Sequence, residues 1–166
     1  MLWQHYVFRR GTAVSDMWDR FFRDRSLNLL YIGGRGFDPR AQTIITKFGR
    51  SIVSCGAKVE AADLLLVGLA RYELDNDLKA ATENNATVLR DRFSALGQTS
   101  ELIMDARAEG EDELSTSNAL RKGVEAILSR IPGRTDIILD VSSLPRVAYL
   151  AMHGKRNRSS TARAGR

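Results

Sequence analysis

Two short segments concentrate the residues able to do chemistry: Gly33-Gly34-Arg35-Gly36-Phe37-Asp38-Pro39-Arg40 and Asp140-Val141-Ser142-Ser143-Leu144-Pro145-Arg146. Gly33, Gly34 and Gly36 leave a backbone free of side-chain obstruction. A helix opening at Pro39 would aim unpaired N–H groups and the positive end of its dipole at whatever lies in front of it. That suits an anion. Arg35 and Arg40 add planar, two-pronged donors for phosphate or carboxylate, and Arg146 with the Ser142 and Ser143 hydroxyls offers the same from a second helix start. These eight residues are the expected ligand-binding set. Asp38 and Asp140 are the acids that would serve as general base, or hold a cation, if the site turned a nucleotide over.

The same residues also have a plain structural reading. Glycines allow any tight βα turn, Asp38 can cap a helix and pair with Arg40, and Ser142 or Ser143 can cap the last helix. Two standard phosphate sites are excluded. Read from Gly34, the dinucleotide fingerprint G-x-G-x-x-G meets Pro39 at its third glycine, and Asp38-Pro39-Arg40 stands where a P-loop needs Gly-Lys-Ser/Thr. No cofactor is identified. Asp75 and Asp77 read as helix-start acids rather than metal ligands, and Tyr72 and Glu73 are placed to line the ribose or base side of a nucleotide pocket.

The elements that must position these loops follow from the apolar pattern. Met17, Trp18, Phe21 and Phe22 recur at helical spacing behind Ser15, an amphipathic helix over 15–25 whose aromatic stripe reads as core. From Leu27 onward, strand, polar loop and helix alternate, as in βα units that build a parallel sheet. The strands are expected at 27–32, 59–68, 101–105 and 136–140. Helices are expected after Asp38-Pro39 with Ile44, Ile45, Phe48 and Ile52 buried; over Leu78 to Leu96 with a break at Asn84-Asn85; after Ser115 or Ser117; and from Pro145 to about His153. Four right-handed units give strand order 3-2-1-4, a Rossmann-like three-layer α/β sandwich with an N-terminal helix. Strands one and four are then neighbours. The loops after them flank the switch-point crevice where such folds bind ligands.

Composition narrows the class. The 166 residues make one domain by size, expected over 1–154, and 43% hydrophobic content supports a core. A single cysteine, Cys55, excludes an internal disulfide, and His5 and His153 are too few and too far apart for a histidine metal site. The net charge of +5 is localised: five of the 25 basic residues lie in 155–166, which leaves 20 against 20 acidic residues elsewhere. That Ser/Arg/Gly tail reads as disordered, with weak, salt-dependent contact to nucleic acid or anionic lipid at most. No apolar run or leader points to a membrane or to export, so a cytoplasmic protein is expected.

An apolar strand ending in Gly33-Gly34-Arg35-Gly36 and a later strand ending in Asp140-Val141-Ser142-Ser143 resemble the CARF-type and related Rossmann-like ligand sensors of bacterial defence systems. The resemblance covers 27–152 in architecture and these two loops in residues. It implies a dimer that binds a cyclic or linear oligonucleotide signal; the separate effector domain such sensors carry is not visible. Three functions remain open. The first is a binding module for a nucleotide or other phosphorylated ligand, the second a nucleotide-processing hydrolase on the same site. The third is an interaction subunit or part of a larger protein, with a homodimer or partner subunit covering an open edge.

Overall fold

A computed structural model of the chain describes residues 9–70, 74–105, 113–150 and 152, with backbone alone over 113–117. Helix α1 spans Ala13–Phe22, followed by β1 (Ser26–Gly34), α2 (Arg40–Ser54), β2 (Lys58–Leu69), α3 (Asn76–Phe93), β3 (Gln98–Met104), α4 (Glu113–Leu128) and β4 (Asp136–Leu139). A helical stretch begins again at 146. The four strands form one parallel sheet in the order β3-β2-β1-β4, the order expected from the sequence and compatible with right-handed crossovers.

Each face of the sheet has its own core, because a parallel sheet with helices on both sides buries consecutive strand residues in opposite directions. Leu29, Tyr31, Leu64 and Leu66 face α1, α2 and α3, where they meet Phe22, Phe48, Ile52, Leu89 and Phe93. Leu30, Ile32, Leu65 and Val67 face the other way, onto Val124 and Ile127 of α4 and onto Leu144 and Ala148. Of the aromatic stripe of α1, Phe22 is buried and Trp18 packs against this core, whereas Phe21 is 57% exposed, so the stripe is core only in part. At the far edge of the sheet Arg134 donates to Asn28 Oδ1 (2.8 Å) and pairs with Asp63, fastening the lead-in of β4 to β1 and β2.

Several local expectations are corrected. Ser15 does not cap α1, which starts at Ala13 with Thr12 in the cap position and no side-chain cap bond. Helix α3 runs through Asn84-Asn85 unbroken, since the Asn85 amide is satisfied outside its own helix: it donates to Gly36 O (2.9 Å) and accepts from Gln42 Nε2. The Asp75 carboxylate caps α3 through Leu78 N–H (2.8 Å). Strand β3 begins at Gln98, three residues early, because an edge strand can carry Gln98, Thr99 and Ser100 without the apolar run expected of a central one. Ser115 and Ser117 lie inside α4 rather than at its cap.

Strand β4 is the other edge. Ile137 and Leu139, register partners of buried Leu30 and Ile32, remain 42 and 44% exposed. Among the described residues no helix is long and apolar enough to cross a membrane.

Candidate functional site

The register of β1 on β4 brings their loops together at the carboxyl edge of the sheet, where Ile32 lies beside Leu139 and Asp140 N–H donates to Ile32 O (2.8 Å). The loops then touch backbone to backbone. A Cβ at Gly34 would overlap the Ser143 carbonyl and the Leu144 nitrogen, so only glycine fits there. The Ser143 hydroxyl closes the contact by donating to Gly34 O (2.9 Å). Gly34 is thus required by the meeting of the two loops. Neither Gly33 nor Gly34 lines the cleft beyond.

Asp140 also turns inward. It is buried, its carboxylate accepts from Tyr31 O–H (2.9 Å) and from Ser142 N–H (2.9 Å), and it does not line the cleft. One oxygen shapes the turn that carries Ser142 and Ser143, and the other ties that turn to β1. The Ser142 hydroxyl is buried without a hydrogen-bond partner among the described residues. The expected base at 140 is therefore a structural carboxylate that fixes the second loop.

Burial, followed by the adjacent Asp140 charge and the hydrogen bond to it, pushes the Tyr31 phenol well above its ordinary range. The native protein then keeps a proton that the unfolded chain releases near pH 10, so stability is full below that pH and falls as pH rises. The loss amounts to about 1.4 kcal/mol per pH unit from this one group. Urea unfolding of wild type and Tyr31→Phe at pH 8 and pH 11 measures it. The stability gap between them should narrow on going to pH 11; a constant gap would mean that Tyr31 is not held protonated.

In the first loop, the Asp38 carboxylate accepts from Arg40 N–H (2.9 Å) and Arg40 Nε (2.8 Å) and forms an ion pair with that side chain. Arg40 holds the Asp38 carboxyl below its usual range and is itself raised by the pairing. A carboxylate so stabilised is a weak base. It also takes up the start of α2, which begins at Arg40 with Pro39 in the cap position at helical angles (φ −70°, ψ −10°). The place expected for a ligand anion at this helix is filled by Asp38.

Arg35 is likewise matched, by an ion pair with Glu83 and a second with Glu101 (3.1 Å), and Glu101 also binds Arg90. Arg146 differs: it is exposed, lines the cleft and has no ion-pair partner among the described residues. Of the three arginines expected to bind ligand, it is the one free to do so.

Together the loops wall a cleft of about 890 Å³. Arg35, Gly36, Asp38 and Arg40 enter it from the first loop, and Ser142, Ser143 and Arg146 from the second. Sequence reasoning missed a third wall, from α3, formed by Lys79, Thr82 and Glu83. Their i, i+3, i+4 spacing puts them on one helix face, which was a readable signal. Lys79 is also without an ion-pair partner among the described residues. It comes from the sheet face that carries α3, whereas Arg146 comes from the face that carries Ala148, so the free cations flank the sheet edge from opposite sides. Four basic and two acidic side chains line the cleft, which favours an anion. Tyr72 and Glu73 lie outside the described residues, as do 153–166. Among the described residues no group of three or more His, Cys, Asp or Glu is placed to hold a metal ion.

Fold and site together define a Rossmann-like α/β domain with an open, net basic cleft at its crossover point. No protein-family model, no curated protein and no solved structure matches the chain.

Proposed function

We propose that this domain binds a nucleotide or other phosphorylated small molecule across the cleft between the loops after β1 and β4. One observation carries the reading: Lys79 and Arg146, two cations without ion-pair partners among the described residues, flank an open cleft of about 890 Å³ at the crossover point of the sheet. Ligand-sized clefts in proteins run from about 300 to 1,000 Å³, and open α/β sheets bind their ligands at this position. Lys79 and Arg146 take the anionic groups. Arg35 and Arg40, each held by its own acid, shape the walls and add to the positive field. The paired Asp38 and the inward Asp140 favour binding over turnover.

The test is a thermal-shift and calorimetric screen of mono-, di- and cyclic nucleotides and simple phosphate esters, with and without Mg²⁺. A ligand at a hundred times its dissociation constant adds about 2.7 kcal/mol of stability. Lys79→Ala and Arg146→Ala should each weaken binding about tenfold or more, since charge-assisted hydrogen bonds are lost. Binding should also weaken as salt is raised. Binding that ignores both substitutions, or no binding by any phosphate compound, would reject the reading.

A further inference from the structure

The apolar side of the cleft says what the anion is attached to. Nine large apolar side chains are exposed among the described residues, and four of them, Phe37, Ile103, Val141 and Val147, line this one cleft. Exposed apolar groups gathered in a concave site mark a binding surface rather than the ordinary scatter of a protein exterior. Phe37 is 43% exposed, and Ile103 is 50% exposed at the carboxyl end of β3. Between the loop and that strand lies Gly68 of β2, which has no side chain to interrupt the floor; a Cβ there would come within 2.9 Å of Ile103 Cδ1.

The polar groups of the cleft argue in the same direction. Thr82 Oγ1 donates to Leu78 O (2.8 Å), Ser143 Oγ donates to Gly34 O (2.9 Å), and the Asp38 and Glu83 carboxylates hold Arg40 and Arg35. Groups already matched within the protein are poorly placed to read the hydroxyls of a sugar. Beyond the unpartnered Ser142 hydroxyl, the cleft therefore offers two free cations and an apolar floor with an aromatic ring at its side.

We infer that the ligand is an anion joined to a flat aromatic ring, and that the ring stacks on Phe37 while the anion meets Lys79 or Arg146. The inference rests on the anion-binding reading above and specifies its ligand class. Nucleotides and flavin or pyridine phosphates share this chemistry; phosphates without an aromatic ring, such as ribose 5-phosphate and pyrophosphate, do not.

Calorimetric titration with adenosine, guanosine, cytidine and uridine diphosphates, flavin mononucleotide, pyridoxal phosphate, ribose 5-phosphate and pyrophosphate tests it. At least one aromatic compound should bind about tenfold or more tightly than both non-aromatic ones, and which one binds identifies the source of the ring. Phe37→Ala should remove that margin without changing the affinity for pyrophosphate, and Phe37→Trp should keep it. Because Phe37 is exposed, both variants should melt close to wild type. Equal affinity for aromatic and non-aromatic phosphates, or a margin that survives Phe37→Ala, overturns the ring inference and leaves anion binding standing. If no phosphate compound binds, both readings fall.

Discussion

Gly34→Ala is expected to lower stability by about 3 kcal/mol, the upper end of the usual cost of overpacking. The new methyl group would run into the Ser143 carbonyl and the Leu144 nitrogen, which are backbone atoms that no rotamer change can move aside. Relief requires the two loops to part, and with them the contact from Ser143 Oγ to Gly34 O. Gly33→Ala is the internal control. Its added carbon meets only Tyr31 Cε1, at an ordinary 3.6 Å, and loss of glycine freedom in the unfolded chain makes this change neutral or stabilising by about 0.5 kcal/mol. Urea unfolding of the two variants beside wild type decides the matter. A Gly34→Ala protein as stable as Gly33→Ala would show that the loops do not meet backbone to backbone, and the cleft would lose its shared wall. A destabilised Gly34→Ala protein should also bind any cleft ligand more weakly, because Ser143 and Arg146 move with the second loop.

Phe48→Ala should cost about 3–5 kcal/mol, within the range for removing a fully buried aromatic side chain. Phe48 has no exposed surface and lies within 5.4–5.8 Å, centroid to centroid, of Tyr31, Trp18 and Phe22. It therefore joins α1 to α2 and both to β1. Part of the loss is the edge-on ring pairing, about 0.5–1.5 kcal/mol per pair beyond the area buried. Val53→Ala on the same helix, at a 78% exposed position, should stay within about 0.5 kcal/mol of wild type. Denaturant unfolding followed by tryptophan emission measures both, and, with Trp3 replaced by Phe, a red shift in folded Phe48→Ala would report the loosening of Trp18. A near-neutral Phe48→Ala would contradict a core role for Trp18 and Phe22 of α1.

The part of the fold governed by local pattern and chain handedness is legible in the residues alone. Apolar runs of Leu27 to Ile32 and Leu64 to Val67 between amphipathic helices require a parallel sheet covered on both faces, and right-handed crossovers then leave few strand orders to choose from. The most economical of those orders brings 33–40 beside 140–146. The pairing of Arg40 with Asp38 was also within reach, being two residues apart. Tertiary structure decided the rest, because charges choose partners by distance in space. Arg35 is taken by Glu83 and Glu101, far along the chain, and Asp140 finds Tyr31 across more than a hundred residues. Asn85, a helix breaker by local preference, stays helical because Gly36 and Gln42 satisfy its amide. The same packing carries Lys79 to the cleft and, among the described residues, leaves Arg146 without an acid beside it. Sequence pattern thus located the crevice, whereas the balance of paired and unpaired charge that favours an anion there exists only once the helices have closed on the sheet.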